Sequence, residues 1–257
     1  MSRHAVAESG ALRTSPSPLE SARFGRPVER LTVPAASPAP LPAVCEAVAR
    51  SQADVVILRY PAEHVGWFAG LTALGRTAVL ADTLVYWRLR AGEGRAPRPE
   101  PGLRADGPPG AADVRAFVRR TFAAYGNHYL ANPLFDPAAA AEGYEEWALG
   151  SAARGGCVTL RGPDGVLALA TVEEDGPRTE ILLAGVTPAA QGRGVYAHLL
   201  RAVEDRAVSR GAGEVVISTQ AHNTRVQRAW ARYGFEPVHA LLTVHLIRPS
   251  AWGPPPR

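Results

Sequence analysis

The sequence predicts an α/β protein, on three observations. Apolar, β-branched segments of strand length alternate with amphipathic segments of helix length in both halves of the chain. A stretch holding five prolines and five glycines, residues 91–110, separates the halves. In the second half a glycine-spaced turn, Gln191-Gly-Arg-Gly194, joins an apolar strand to an amphipathic helix.

Residues 1–20 are rich in Ser, Ala and Pro without a period and read as a disordered tail. Residues 21–90 read as a small α/β unit. It has a strand from Val28 to Val33, a helix from Leu41 to Ser51 with Pro42 allowed in its first turn, and an apolar strand from Asp54 to Tyr60. A helix from Glu63 to Leu74 closed by Gly75 and a long strand from Thr77 to Leu89 follow. Residues 91–110 read as a linker.

The second unit, 111–248, opens with a helix from Ala111 to Tyr125, where Val114, Phe117, Val118 and Phe122 share a face. A polar and aromatic loop, 126–133, leads to a helix from Pro137 to Ala153. Strands are expected from Cys157 to Arg161 and Val166 to Glu173, joined by the turn Gly162-Pro-Asp-Gly165, and from Thr179 to Val186. The helix after the glycine turn runs to Arg210, with Val195, Leu199, Val203 and Ala207 recurring every four residues. A strand from Glu214 to Thr219, a helix from Thr224 to Tyr233 and a strand from Val238 to Ile247 complete the unit, and 249–257 read as a tail.

Composition narrows the chemistry. All 28 basic residues are arginine. Without a lysine amine there is no Schiff base with pyridoxal phosphate or a carbonyl substrate, and a Walker-type phosphate loop lacks its lysine. The net charge of +4 is unclustered, with no basic stripe interleaved with aromatics, so no nucleic-acid partner is expected. No apolar run approaches the roughly 20 residues that span a bilayer, and the first 20 residues lack the apolar segment of a secretory signal, so no membrane partner is expected. Cys45 and Cys157 match no metal spacing and read as buried thiols in a reducing cytoplasm; no metal is expected.

The chemistry concentrates in Val186-Thr-Pro-Ala-Ala-Gln191-Gly192-Arg193-Gly194-Val195-Tyr196. A glycine turn opening a helix aims backbone N–H groups, at the positive end of the helix, at one small volume that suits a phosphate. Downstream, Asn223 to Phe235 is spaced Asn-x6-Trp-x3-Gly-Phe directly after a strand.

Together these two elements resemble the GCN5-related N-acetyltransferase (GNAT) superfamily over residues 111–248. The resemblance implies a mixed, mostly antiparallel central sheet with helices on both faces, preceded by a smaller, truncated GNAT-like unit. It implies acetyl-CoA as the donor, with Gln191, Gly192, Arg193, Gly194, Val195 and Tyr196 around its pyrophosphate and Asn223 touching it. Val186 would end a strand that splays from its neighbour, its N–H holding the thioester carbonyl. Two positions depart from the pattern. Tyr196 stands where the family has a small residue, and its phenol would either crowd the phosphate or donate to it. Trp230 stands where the family has a tyrosine acid. An indole N–H can stabilise a leaving thiolate but cannot protonate it. Tyr233, three residues on along the same helix face, is the candidate substitute acid.

An amine acceptor must lose a proton before it attacks. Glu180 is one candidate base; Glu173, Glu174, His128, His222 and His239 are others. Asn127, His128 and Tyr129, in the loop between the first two helices of this unit, are the expected acceptor contacts. The two-part layout, with Phe24-Gly25, Leu71 to Gly75, Tyr125 to Phe135 followed by Tyr144 and Trp147, and Val216 to Gln220, resembles the TDP-fucosamine acetyltransferase-like enzymes. That resemblance implies an amino-sugar nucleotide or another small-molecule primary amine as acceptor, with direct transfer in a ternary complex. Trp230 keeps two alternatives open: a module that binds acyl-CoA without transferring, and an acyl-CoA reaction other than N-acylation. Whether the chain acts alone or as a homodimer is left open too.

Overall fold

The computed structural model describes residues 12–106, 109–123, 125–163 and 165–252. Ten strands form one sheet in the order β1-β2-β3-β10-β4-β9-β8-β7-β6-β5. They are β1 (Arg13–Pro16), β2 (Val28–Thr32), β3 (Val55–Pro61), β4 (Thr77–Arg90), β5 (Arg104–Asp106), β6 (Cys157–Gly162), β7 (Gly165–Asp175), β8 (Arg178–Val186), β9 (Glu214–Gln220) and β10 (Glu236–Ile247). Only β2–β3 and β8–β9 pair in parallel, so the sheet is mixed and mostly antiparallel, as expected.

Helices cover both faces, because strand side chains alternate and both faces of the central strands are apolar. On one face α2 (Leu41–Arg50) and α3 (Trp67–Thr72) pack on Val56, Leu58, Tyr60, Leu242, Val244 and Leu246, and α6 (Val195–Ser209) and α7 (Thr224–Tyr233) pack on Val215, Ile217 and Leu89. On the other face lie α1 (Pro18–Phe24), α4 (Ala111–Phe122) and α5 (Pro137–Ala153), against Val55, Ile57, Leu169 and Leu183.

The two halves of the chain are interleaved. The last strand, β10, lies between β3 and β4, so β4 of the first half separates β9 from β10 of the second. A Phe24–Phe135 stack at 4.0 Å and the Arg23–Glu146 ion pair join the halves on the α1/α5 face.

Four local expectations need correction. Of the expected disordered tail, residues 1–11 lie outside the described residues, but residues 12–20 are held: β1 pairs with β2, and Glu20 is buried against Arg30 and Tyr129. The expected linker is partly fixed. Glu204 of α6 accepts the amides of Gly92 and Gly94, both at 2.8 Å, the Arg95 N–H donates to the Tyr233 carbonyl, and 104–106 pair with β6. The helix expected from Glu63 to Leu74 is a 3-10 turn, Ala62–His64, followed by the short α3. Of the two tails, residues 253–257 lie outside the described residues, and Pro249–Trp252 form a 3-10 turn.

Candidate functional site

The site is built where β8 and β9 part. They pair only from Arg178 opposite Glu214 to Ile181 opposite Ile217. At that point the β7–β8 register slips, leaving Leu182 as an extra residue between partners Ile181 and Leu183. Beyond it β8 follows β7 alone. The Thr187 N–H donates to the Leu167 carbonyl, so Val186 and Ala184 occupy the alternate positions, whose N–H and C=O groups point away from β7. They face the gap that β9 has left. The Gln191 side chain confirms the direction by donating to the Val186 carbonyl from the gap side, at 3.2 Å.

A glycine cradle caps the gap. Gly192 and Gly194 have φ of 79° and 82°, a left-handed backbone that side chains disfavour. Gly194 is the N-cap of the 15-residue helix α6. The amides of Gly192, Arg193 and Gly194 enter none of the turn and loop hydrogen bonds of the described residues, and they sit at the positive end of the helix. Arg225, at the start of α7, donates to the Gln191 side chain at 3.0 Å and adds positive charge at the rim.

Gap and cradle form one cavity of about 630 Å³. Val186, Gln191, Gly192, Gly194, Val195, Tyr196, Asn223 and Trp230, all expected at the cofactor, line it. Arg193 does not line it; its side chain is exposed and only its amide belongs to the cradle. Asn223 donates to the Thr219 hydroxyl at 3.1 Å.

Three aromatic polar groups meet across the cavity. The Trp230 indole N–H donates to the Tyr196 hydroxyl at 2.9 Å. Burial pushes the Tyr196 pKa up, the indole bond opposes that, and the nearby Tyr125 adds to it. The Tyr125 hydroxyl binds the Gln220 side chain and lies 3.2 Å from the Thr219 hydroxyl. Tyr125 also borders a second cavity of about 200 Å³, with Phe122, Asn127 and Tyr144.

Several candidates from the sequence lie elsewhere. The Tyr233 ring lines the cavity, but its hydroxyl donates to Glu204 at 2.6 Å. Burial and that bond raise its pKa, as they do for a phenol beside a carboxylate; what makes Tyr233 ill placed as an acid is that its proton is committed to Glu204. Glu180 is buried at the paired end of β8, away from the cavity lining. Glu174 is held by Arg206 and Arg210, and His239 stacks on Tyr86.

The expected acceptor contacts are structural. The Asn127 side chain caps its own 3-10 turn by accepting the Tyr129 N–H. Tyr129 binds Glu20 and accepts from Arg30. His128 meets His245 of β10 at 2.9 Å, and Asn132 meets the other ring nitrogen of His245 at 3.1 Å. If Asn132 donates, that nitrogen of His245 accepts, and the other carries the proton given to His128. Burial first, then the charge of Arg59, pushes His245 down to about 3, so its imidazole is neutral. Tyr125, Ala184 and Glu204 were not singled out as site groups from the sequence. Glu204 did carry a signal, a carboxylate next to Val203 on the apolar side of its helix.

Comparison with known proteins agrees with this geometry. Residues 122–235 match the model of the acetyltransferase (GNAT) family. That segment, somewhat under half of the chain, is thus similar to this family. Acetyl-CoA is the acyl donor of that family. Over 67 residues the chain is 37% identical to a mycothiol acetyltransferase of Nocardia farcinica, covering 26% of this chain and 22% of that one. The match thus spans about a fifth of the length of that curated relative. Among solved structures, a Drosophila protein superposes with a TM-score of 0.62 at 15% identity, covering 87% of this chain and 75% of the other. A tandem GNAT protein from the clavulanic acid biosynthesis pathway superposes at 0.55 and 13% identity, covering 90% and 77%. These likenesses show the GNAT fold across both halves of the chain. Among the described residues no helix is long and apolar enough to cross a membrane, and no group of three His, Cys, Asp or Glu side chains is placed to hold a metal.

Proposed function

We propose that the protein is an acetyl-CoA-dependent N-acyltransferase that acetylates a small-molecule primary amine by direct transfer in a ternary complex. The observation that carries this is the gap between β8 and β9, lined by the outward amides of Ala184 and Val186 and closed by the glycine cradle. The cradle fits a diphosphate: unpaired amides at a helix N-terminus beside arginine. The edge of β8 fits the amide-bearing arm of coenzyme A as an added strand. Gln191 to Tyr196 and Asn223 would hold the donor, and Val186 and Ala184 would donate to its carbonyls. When bound, acetyl-CoA supplies an activated acyl carbonyl with a thiol leaving group.

The chain's own residues do the rest. Tyr196 takes the acid's role in place of Tyr233. The indole of Trp230 occupies a lone pair of the phenol oxygen and leaves its proton free to donate into the cavity. No covalent acyl-enzyme is expected, because neither cysteine lines the cavity: Cys157 lies on β6 with its thiol pushed up to about 11 by burial, and Cys45 lies on α2. For the acceptor, an amino-sugar nucleotide or a secondary-metabolite amine is favoured by the two-part layout, and the mycothiol acetyltransferase relative is itself named for acetyl transfer.

The test is calorimetric titration with acetyl-CoA, then thiol release with a panel of sugar, amino-acid and aliphatic amines. Binding followed by amine-dependent thiol release supports the reading; no binding at saturating acetyl-CoA ends it. Binding without release from any amine would favour a sensing module. Tyr196→Phe should lower kcat by about 10- to 100-fold while the acetyl-CoA Kd stays within about twofold, the size of a lost general acid.

A further inference from the structure

The large cavity does not stop at the cradle. It runs on between α6 and α7, where Ala197 and Leu200 of one helix and Val226, Ala229 and Tyr233 of the other line it. At the C-terminal end of α7 it meets Arg95 and Pro97, which belong to the segment joining β4 to β5. That segment is fixed in place. Glu204 accepts the Gly92 and Gly94 amides, and the Arg95 N–H donates to the Tyr233 carbonyl at 2.7 Å. A Cβ on residue 94 would come within 2.3 Å of the Tyr233 ring, so glycine is what lets the backbone lie this close.

This end of the cavity is basic. Among the described residues the lining holds Arg95, Arg225 and Arg232 and no Asp or Glu. None of the three enters an ion pair of the described residues. Arg225 donates to the Gln191 side chain at 3.0 Å and Arg95 to the Arg232 carbonyl at 3.5 Å, both neutral oxygens that leave the charges uncompensated. The nearby carboxylate of Glu204 is buried, and its oxygens are taken by two amides and the Tyr233 hydroxyl. Arg225 and Arg232 are seven residues apart, about two turns, so they stand on one side of α7 roughly 10 Å from each other. Arg225 stands beside the cradle; Arg232 and Arg95 stand together at the other end. Two cationic stations on one cavity suit a ligand with two separated phosphate groups, and the forked guanidinium is the side chain best shaped to hold phosphate.

We propose that Arg95 and Arg232 hold the 3′-phosphate of the donor's adenosine, while the cradle and Arg225 hold its diphosphate. The segment between the two halves of the chain thereby contributes a donor-binding residue. This deepens the acyltransfer reading and rests on it. It makes the 3′-phosphate a determinant of donor choice, so that coenzyme A is preferred to its 3′-dephospho form.

The experiment is calorimetric titration of coenzyme A and 3′-dephospho-coenzyme A into wild type, Arg95→Gln, Arg232→Gln, the double variant and Arg225→Gln. All three arginines are exposed, so each variant should melt within about 2 °C of wild type. Wild type should bind coenzyme A about 10-fold more tightly than the dephospho form, the size of a charge-assisted contact at a solvated rim. Each single variant at 95 or 232 should narrow that preference, and the double variant should bring it within about twofold while the dephospho Kd stays put. Arg225→Gln should weaken both ligands alike, because both carry the diphosphate. Equal affinity of wild type for the two ligands would overturn the subsite and leave the donor reading standing. Equal weakening of both ligands by the 95 and 232 variants would overturn it too, since those arginines would then act on the shared part of the ligand. Loss of the preference in Arg225→Gln alone would move the 3′-phosphate to the cradle end, with the same result. Failure of wild type to bind either ligand would bring down the donor reading and this subsite together.

Discussion

Replacing His245 by Gln should flatten the pH dependence of stability on the acid side. His245 is fully buried, and its folded-state pKa is pushed down to about 3 from 6.5. In the unfolded chain the imidazole binds its proton as the pH falls through 6.5, whereas the folded chain refuses it until about pH 3. A depressed folded value thus gives stability that is complete above 6.5 and declines below it, by about 1.4 kcal/mol per pH unit for one proton. Integrated from pH 7.5 to pH 5, the loss is about 2 kcal/mol. The slope belongs to the His128–His245 pair rather than to one ring, because the two share a hydrogen bond. Glu20 is also depressed, to about 2 against 4.5, because the charge and hydrogen bonds of Arg30 outweigh its burial; its contribution fades only as the pH falls below 4.5, outside this window. Urea unfolding at half-unit intervals from pH 5 to 7.5 measures the effect. The variant starts less stable, having lost the bonds to His128 and Asn132, but its curve should be shallower by about 2 kcal/mol across the range. Parallel curves would show that His245 titrates in the folded protein near its ordinary value, and its neutral state would be wrong.

Three other outcomes follow from the geometry. Glu204→Leu strands the Gly92 and Gly94 amides and the Tyr233 hydroxyl, and should cost on the order of 3–5 kcal/mol in chemical denaturation; adding Tyr233→Phe should restore about 1–2 of these, and strict additivity would refute the shared carboxylate. Gly194→Val forces a β-branched residue to a φ of 82°, so stability should fall by about 1–3 kcal/mol and acetyl-CoA binding should weaken at least tenfold; undiminished affinity would remove the cradle from the donor site. A fragment of residues 109–257 lacks β4, leaving β9 and β10 without the strand between them; it should show no dispersed amide spectrum, and a cooperatively folded fragment would show that the second half does not depend on that strand.

Much of the fold was legible because local patterns and tertiary structure agree. The stripe Val195, Leu199, Val203, Ala207 is buried along α6, and the apolar run of β3 lies inside a sheet covered on both faces. What was not legible depends on partners distant in sequence. Residues 13–20 carry no period of their own and are ordered by an edge strand and by Arg30. Glycines 92 and 94 look like linker residues, and nothing local says that a carboxylate 110 residues away receives their amides. The interleaving of β4 between β9 and β10 cannot be read from strand lengths at all.

At the site the split runs between backbone and side-chain chemistry. The cradle announced itself because positive φ demands glycine and a helix start can be read from the pattern after it. The polar groups were misread wherever sequence proximity stood in for proximity in space. Asn127, His128 and Tyr129 form a polar cluster in the chain, which suggested a ligand, yet each is used by a partner more than a hundred residues away or by its own turn. The stronger signal was a polar residue interrupting an apolar strand. His245 sits among Leu241, Leu242, Val244, Leu246 and Ile247, and Asp82 lies in a strand with Leu80, Leu84 and Val85. A buried polar group in such a run must be matched by something. For His245 the match is His128 and Asn132, inside the protein. For Asp82 no described residue supplies a hydrogen bond. The same logic separates the two tyrosines of the cavity. Tyr233 spends its proton on Glu204, whereas Tyr196 accepts from Trp230 and keeps its own, so the indole at an unexpected position is better read as a support for Tyr196 than as a lost acid.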